Sequence, residues 1–178
     1  LAPFLGAIAD KASVKKRLLI FFAFIGIIST GALSMVGQGY WKIAAVFYVV
    51  ASVGFMSANI FYDSLLPSVA SKQKRDFVSS LGYSLGYIGG GILFLVNVAM
   101  YLKPQFFGIA DAPSAIKLSF LTVAVWWAIF TLPILIFVKE KAPANDIGII
   151  KSISAGWIQL LSTLKRIREL KVVTTFLI

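Results

Sequence analysis

The chain has no cysteine and no histidine. Metal and redox sites built on thiolate or imidazole are therefore excluded, as is catalysis by either group; the lack of cysteine says nothing about compartment. Acidic side chains are scarce too, with seven Asp and Glu against 17 Lys and Arg and a net charge of +10. The acids available near one face, Asp10, Asp63, Asp76 and Glu140, form no paired-carboxylate motif, so the sequence does not read as an enzyme and calls for no cofactor. Charged residues make up only 13% of the chain, roughly half of the 25% usual in soluble domains.

Hydrocarbon takes the place of charge: 59% of residues are hydrophobic and the mean hydropathy is +0.90. A membrane crossing needs about 20 apolar residues at 1.5 Å rise each. Four segments qualify as complete transmembrane helices, at about 18–41, 43–66, 77–102 and 118–138. Their runs are continuous, without the strict alternation of a β-barrel. The expected fold class is thus all-α and membrane-embedded.

The basic residues orient these spans. Fourteen of the 17, in Lys11–Arg17, Lys72–Arg75 and Lys139–Lys171, fall on one side, and Lys42, Lys103 and Lys117 fall on the other. Short cytoplasmic loops concentrate Lys and Arg, so the first side is cytoplasmic and the positive charge reflects topology, with no nucleic-acid partner. Tyr40, Trp41, Tyr101, Phe106 and Phe107 are placed as anchors at the opposite interface. Trp126 and Trp127 lie mid-span and are expected to pack on neighbouring helices.

The loop Gly6–Arg17, reading G-A-I-A-D-K-A-S-V-K-K-R, resembles the signature loop between helices two and three of the major facilitator superfamily. Gly6, Asp10, Lys11, Lys15 and Lys16 match its pattern, and Ser13 replaces its second glycine. The resemblance implies that the four spans are helices three to six of a twelve-helix transporter. Residues 1–138 then belong to its N-terminal bundle, 139–171 to the central cytoplasmic linker, and 172–178 to the start of helix seven. On this reading the sequence is an internal fragment, its partner being the missing C-terminal half. The resemblance further implies a conformational latch at the loop, with Lys11 paired to Asp63.

The second span carries the clearest chemistry. At 100° per residue, Tyr48, Ser52, Asn59 and Asp63 fall within about 60° of one another on the helix. A carboxylate facing mid-bilayer costs roughly 2.5 to 3.5 kcal/mol, so this stripe is expected to line a substrate cavity, with Asn97 as a further cavity residue. An interfacial ion pair is the competing reading of Asp63. In the third span, Gly82, Gly86 and Gly90 share one face for close helix packing, and Gly89, Gly90 and Gly91 form a candidate hinge.

F-Y-D-S-L-L-P at Phe61–Pro67, followed by S-S-L-G-Y-S-L-G-Y-I-G-G-G, resembles the vacuolar effluxer branch of the superfamily, the autophagy-related amino-acid effluxers of fungi and their bacterial relatives. Tyr87 stands where antiporters of the superfamily carry proline. The resemblance implies a secondary transporter working by alternating access, exporting small solutes such as amino acids, with proton coupling left open. It would reside in the plasma membrane of a bacterium or the vacuolar membrane of a fungus. A membrane scaffold and a drug or sugar carrier are the alternatives. In the linker, Ile149, Ile153, Trp157, Leu160, Leu164 and Ile167 share one helical stripe. This predicts an amphipathic helix on the bilayer, its basic side toward anionic headgroups, serving as a tethered connector or a regulatory sensor.

Overall fold

The computed structural model describes residues 15–139. Gly6, Asp10, Lys11, the linker helix and the 172–178 segment lie outside the described residues. Four helices follow in order: α1 (Lys15–Leu33), α2 (Trp41–Val69), α3 (Arg75–Leu102) and α4 (Ala112–Phe137). Short 3-10 turns, Lys72–Lys74 and Pro104–Phe107, precede α3 and α4. All four helices are long and apolar enough to cross a membrane. No strand occurs among the described residues.

Several boundaries differ from the sequence expectation, three of them for a visible local reason. α1 stops at Leu33 instead of running to Trp41, because the chain tightens through i to i−3 bonds from Ser34, Met35 and Val36, and then reaches Gly39 at φ +86°. Met35 and Val36 are apolar, so composition alone does not reveal that the helix has ended. α2 continues past 66 to Val69, with Pro67 inside its last turn. α4 begins at Ala112, ahead of 118: the Asp111 carboxylate accepts the Ser114 amide at 2.8 Å, and a proline sits in the first turn. Lys117 therefore lies inside the helix instead of marking its start.

Small residues decide the packing. The buried positions of α1 (Leu19, Ala23, Gly26, Ser29, Thr30, Leu33) and α2 (Ala51, Gly54, Ser57, Ala58, Phe61, Leu65) each recur at helical spacing. In hydrocarbon, helices associate through close van der Waals contact, and small side chains permit it. The closest approach is at Gly54, where a Cβ would lie 2.8 Å from both the Gly26 nitrogen and the Phe22 carbonyl oxygen. On its other side Gly26 is covered by the Trp127 ring of α4, leaving no space for a Cβ. Trp127 also meets Phe55 edge-on, and Trp126 packs on Phe130, in keeping with the packing role expected of both tryptophans. Toward the end at which α1 begins, Leu19, Phe61 and Leu65 form the core, with Phe22 stacked on Phe61.

Spatial order differs from chain order. α2 pairs with α1, α1 with α4, and α4 with α3, while α2 and α3 make only sparse contact. Lysines secure the end of the bundle at which α1 begins. Lys16 Nζ donates to the Leu135 and Val138 carbonyls at 2.7 Å each, and Lys15 Nζ donates to the Ser64 carbonyl at 3.3 Å. The last carbonyls of a helix lack intrahelical donors and carry its negative dipole end, so a cation is well placed there.

Three outcomes follow from this packing in the full-length protein. Gly54→Ala should lower stability by about 1 to 3 kcal/mol, because two backbones must separate. Gly31→Ala, whose Cβ would meet only the Ala124 methyl at 3.6 Å, should be neutral or stabilising by up to about 1 kcal/mol. Thermal midpoints in detergent compare the two. Lys16→Met should cost about 1 to 3 kcal/mol by removing the donor to two helix-end carbonyls, whereas Lys16→Arg should restore most of it. Finally, hydrogen bonding from Ser114, side chain first and amide second, holds the Asp111 carboxyl below its ordinary range. The cap's contribution should be complete above that ordinary range and lost as pH falls through the depressed folded value. Relative to the intrinsic rate at each pH, amide exchange at Ser114 should lose protection over that acidic interval and should already be unprotected in Asp111→Ala.

Candidate functional site

The Gly54 contact sets the rotation of α2, and with it the direction of the polar stripe. On the helical wheel, Tyr48, Ser52, Asn59 and Asp63 centre roughly 130° from the face buried against α1. Tyr48, Asn59 and Asp63 are exposed, Tyr48 at 65%, and Ser52 is half-buried. From Tyr48 to Asp63 the stripe rises about 22 Å along the helix, most of the hydrocarbon thickness. Asp63 lies about 9 Å before the end of α2 at Val69.

At that end α3 meets the stripe. The Tyr83 hydroxyl lies 2.9 Å from Asp63 Oδ1 and 3.1 Å from Oδ2, bridging two helices that otherwise scarcely touch. One residue earlier, a Cβ on Gly82 would sit 3.1 Å from the Tyr62 hydroxyl, so the missing side chain leaves space for that ring. Between the ends of α2 and α4 and the start of α3 is a cleft of about 80 Å³, bordered by Tyr62, Asp63, Ser79 and apolar side chains. No group of three or more His, Asp, Glu or Cys that could hold a metal occurs among the described residues.

The remaining expected site residues are distributed differently. Asn97 stands apart from the α2 stripe: its Oδ1 lies 2.9 Å from the Thr122 hydroxyl of α4, joining α3 to α4. Gly89 faces the Trp126 ring at 3.5 Å, while a Cβ on Gly86, Gly90 or Gly91 would meet nothing within 4 Å among the described residues. α3 remains helical through all three consecutive glycines. Of the loop residues, Lys15 and Lys16 are at the start of α1, tied to α2 and α4 carbonyls. Gly6, Asp10 and the Lys11 partner proposed for Asp63 lie outside the described residues.

Tyr83 and Tyr62 are the residues that the sequence reading passed over. A signal for the first was present: two Gly-Tyr pairs four residues apart, Gly82-Tyr83 and Gly86-Tyr87, place two phenols on one side of α3.

Comparison with known proteins gives this geometry a family. Residues 1–178 match the family model described as "Vacuole effluxer Atg22 like". An "Uncharacterized MFS-type transporter YxiO" of Bacillus subtilis is 36% identical over 184 residues, covering 100% of this chain and 41% of that protein. Autophagy-related protein 22 of Saccharomyces cerevisiae (strain ATCC 204508 / S288c) is 26% identical, with 92% of this chain and 37% of that protein covered. Its counterpart in Yarrowia lipolytica is 20% identical over 96% of this chain and 41% of that protein. The chain thus spans about two fifths of the length of these curated relatives. No solved structure matches it. With four membrane-length helices and a family match along its whole length, the chain belongs to the Atg22-like vacuole effluxers, a multi-pass membrane transporter family of the major facilitator superfamily.

Proposed function

We propose that the full-length protein is a secondary active transporter working by alternating access and exporting small solutes such as amino acids. The carrying observation is the exposed polar stripe of α2, which ends in Asp63 and faces away from the α1 contact on an otherwise apolar helix. Polar side chains at membrane depth are costly unless they meet protein or water, and a solute pathway between two helical bundles supplies both. In this reading Tyr48, Ser52, Asn59 and Asp63 form part of one cavity wall, and Asn97 supports that wall from the α3–α4 seam.

The loop acts as the latch between bundles. Asp10 engages a helix N-terminus of the other half, where a carboxylate contributes about 0.3 to 1 kcal/mol. Lys11 braces it against Asp63, and Gly6 allows the close approach. The contacts of Lys15 and Lys16 with α2 and α4 support this role by giving the loop a fixed base. The open glycine face of α3, at Gly86, Gly90 and Gly91, is a surface on which the other half can pack and move. The linker helix rests on anionic headgroups as a tether.

The test is counterflow of a mixed radiolabelled amino-acid pool into proteoliposomes holding the intact parent protein, with and without a pH gradient. Uptake is expected, and Asp63→Asn should reduce it about tenfold, the factor that corresponds to losing one charge-assisted hydrogen bond. Asp10→Asn should shift the balance of inward-open and outward-open states. Dependence on the gradient would establish proton coupling. Absence of uptake by correctly folded protein would overturn the amino-acid cargo.

A further inference from the structure

We propose that Tyr83 is a positioning residue for the loop latch: its hydroxyl, facing both oxygens of Asp63 from the neighbouring helix, fixes how that carboxylate is presented to Lys11 and brings α3 into the latch. This rests on the loop acting as the latch between the two halves, and adds to it a residue that works only through Asp63.

Asp63 is exposed on α2. A side chain in that setting samples its staggered rotamers, and an ion pair made from it must first spend entropy on ordering both partners. The phenol removes that freedom. The Tyr83 oxygen lies 2.9 Å from Oδ1 and 3.1 Å from Oδ2, so it faces the pair of oxygens and not one of them. Swinging Asp63 into another χ1 well would carry both away. A single phenol proton leaves most of the roughly four lone-pair sites of the carboxylate open. Tyr83 and Lys11 are therefore complementary: one is neutral and held in a helix, the other charged and carried by the loop.

The phenol is itself held in place. Tyr62 and Asp63 are neighbours on α2, Gly82 and Tyr83 are neighbours on α3, and the two pairs interlock. A Cβ on Gly82 would sit 3.1 Å from the Tyr62 hydroxyl, and the next residue of each helix supplies the hydrogen bond. Elsewhere α2 and α3 make only sparse contact. The later part of α3 is seated on α4, where Gly89 faces the Trp126 ring at 3.5 Å and Asn97 meets the Thr122 hydroxyl at 2.9 Å. From Tyr83 to Asn97 is about 21 Å along the helix. α3 thus rests on α4 at one end and reaches α2 through Tyr83 at the other, so a displacement of α3 is passed to the loop through Asp63.

Tyr87 supplies the contrast. It lies one turn further along the same side of α3 and is 79% exposed. No hydrogen bond joins its hydroxyl to any of the described residues, and a Cβ on the preceding Gly86 would meet nothing within 4 Å among them. A phenol on this side of α3 is therefore not sufficient; the meeting with Asp63 singles out Tyr83. A bond that merely joined α2 to α3 would act whether or not the loop cation were present, whereas a positioning bond needs it.

In a cysteine-free form of the full-length protein, Ser52→Cys places a thiol on the α2 stripe. Its rate of reaction with a water-soluble methanethiosulfonate, applied from the side at which α1 begins, reports how open that side is. The latch holds that side shut, so Lys11→Met should raise the rate. Tyr83→Phe, which keeps the ring, should raise it about two- to tenfold, the range of one hydrogen bond, and Tyr87→Phe should not. Adding Tyr83→Phe to Lys11→Met should raise it no further, because both act through one carboxylate. The antisymmetric carboxylate stretch of Asp63, isolated in infrared difference spectra against Asp63→Asn, should move in Tyr83→Phe and stay in place in Tyr87→Phe. An unchanged rate or an unmoved band in Tyr83→Phe, an equal effect of Tyr87→Phe, or effects of Tyr83→Phe and Lys11→Met that multiply would overturn the proposal and leave the latch standing. A Lys11→Met protein reacting at the parent rate would sink the latch reading, and the role of Tyr83 with it.

Discussion

Two backbones touching at one point hold this bundle together. With no Cβ on Gly54, the Gly26 nitrogen and the Phe22 carbonyl of α1 come to within ordinary atomic contact of α2. Water drives no such association within a bilayer, where lipid tails are as apolar as leucine, and short-range contact has to supply the attraction. Trp127 then closes over the far side of Gly26, so one small residue serves two interfaces. The face that α2 leaves over is the one bearing Tyr48, Ser52, Asn59 and Asp63. The direction of the polar stripe is thus a by-product of where two glycines meet.

Charge complements packing at the membrane borders, and α4 illustrates both senses of it. Asp111 stands at its start, where amides are unpaired, and Lys16 of α1 reaches its end, where carbonyls are unpaired. Each side chain answers the partial charge of the helix terminus it meets. The Lys16 contact also joins elements 119 and 122 residues apart in sequence. This end of the bundle is therefore held through the lysines of one helix and the carbonyls of its neighbours. At the same end, the α2–α3 gap is bridged through a carboxylate and a phenol.

How much of this was legible in the sequence varied with the kind of signal. The four spans were, because hydrocarbon thickness acts on long stretches. The Tyr48–Asp63 stripe was legible for a related reason: polar residues are rare enough on such helices to stand out by spacing. Leu33 as an end was hidden, since Met35 and Val36 extend the apolar run beyond the last helical turn. The contact between α1 and α2 was hidden as well. Gly89–Gly91 is conspicuous as a run, yet the backbone contact forms at the isolated Gly26 and Gly54, whose pairing depends on depth in the membrane and on helix rotation. Asn97 was grouped with the cavity by its polarity, but polarity does not name a partner, and Thr122 of α4 provides one. Tyr83 carried a weak signal of its own, since tyrosine is at home both in packing and in hydrogen bonding.

The mismatch between spatial and chain order has a consequence for biogenesis. α1 and α2, consecutive and extensively packed, can pair as soon as both have entered the bilayer. α3 emerges next, yet its principal partner among the described residues is α4, which has still to be synthesised. During that interval α3 must reside in lipid, or in the insertion machinery, with its glycine surface and Asn97 uncovered. Polar and weakly packed surfaces of this kind invite non-native neighbours during synthesis. The arrival of α4 covers part of this surface, because Thr122 meets Asn97 and Trp126 meets Gly89, while Trp127 seats on the finished α1–α2 pair. The fourth helix is thus the keystone of assembly, and a ribosomal pause before it would prolong the most vulnerable stage in the life of this chain.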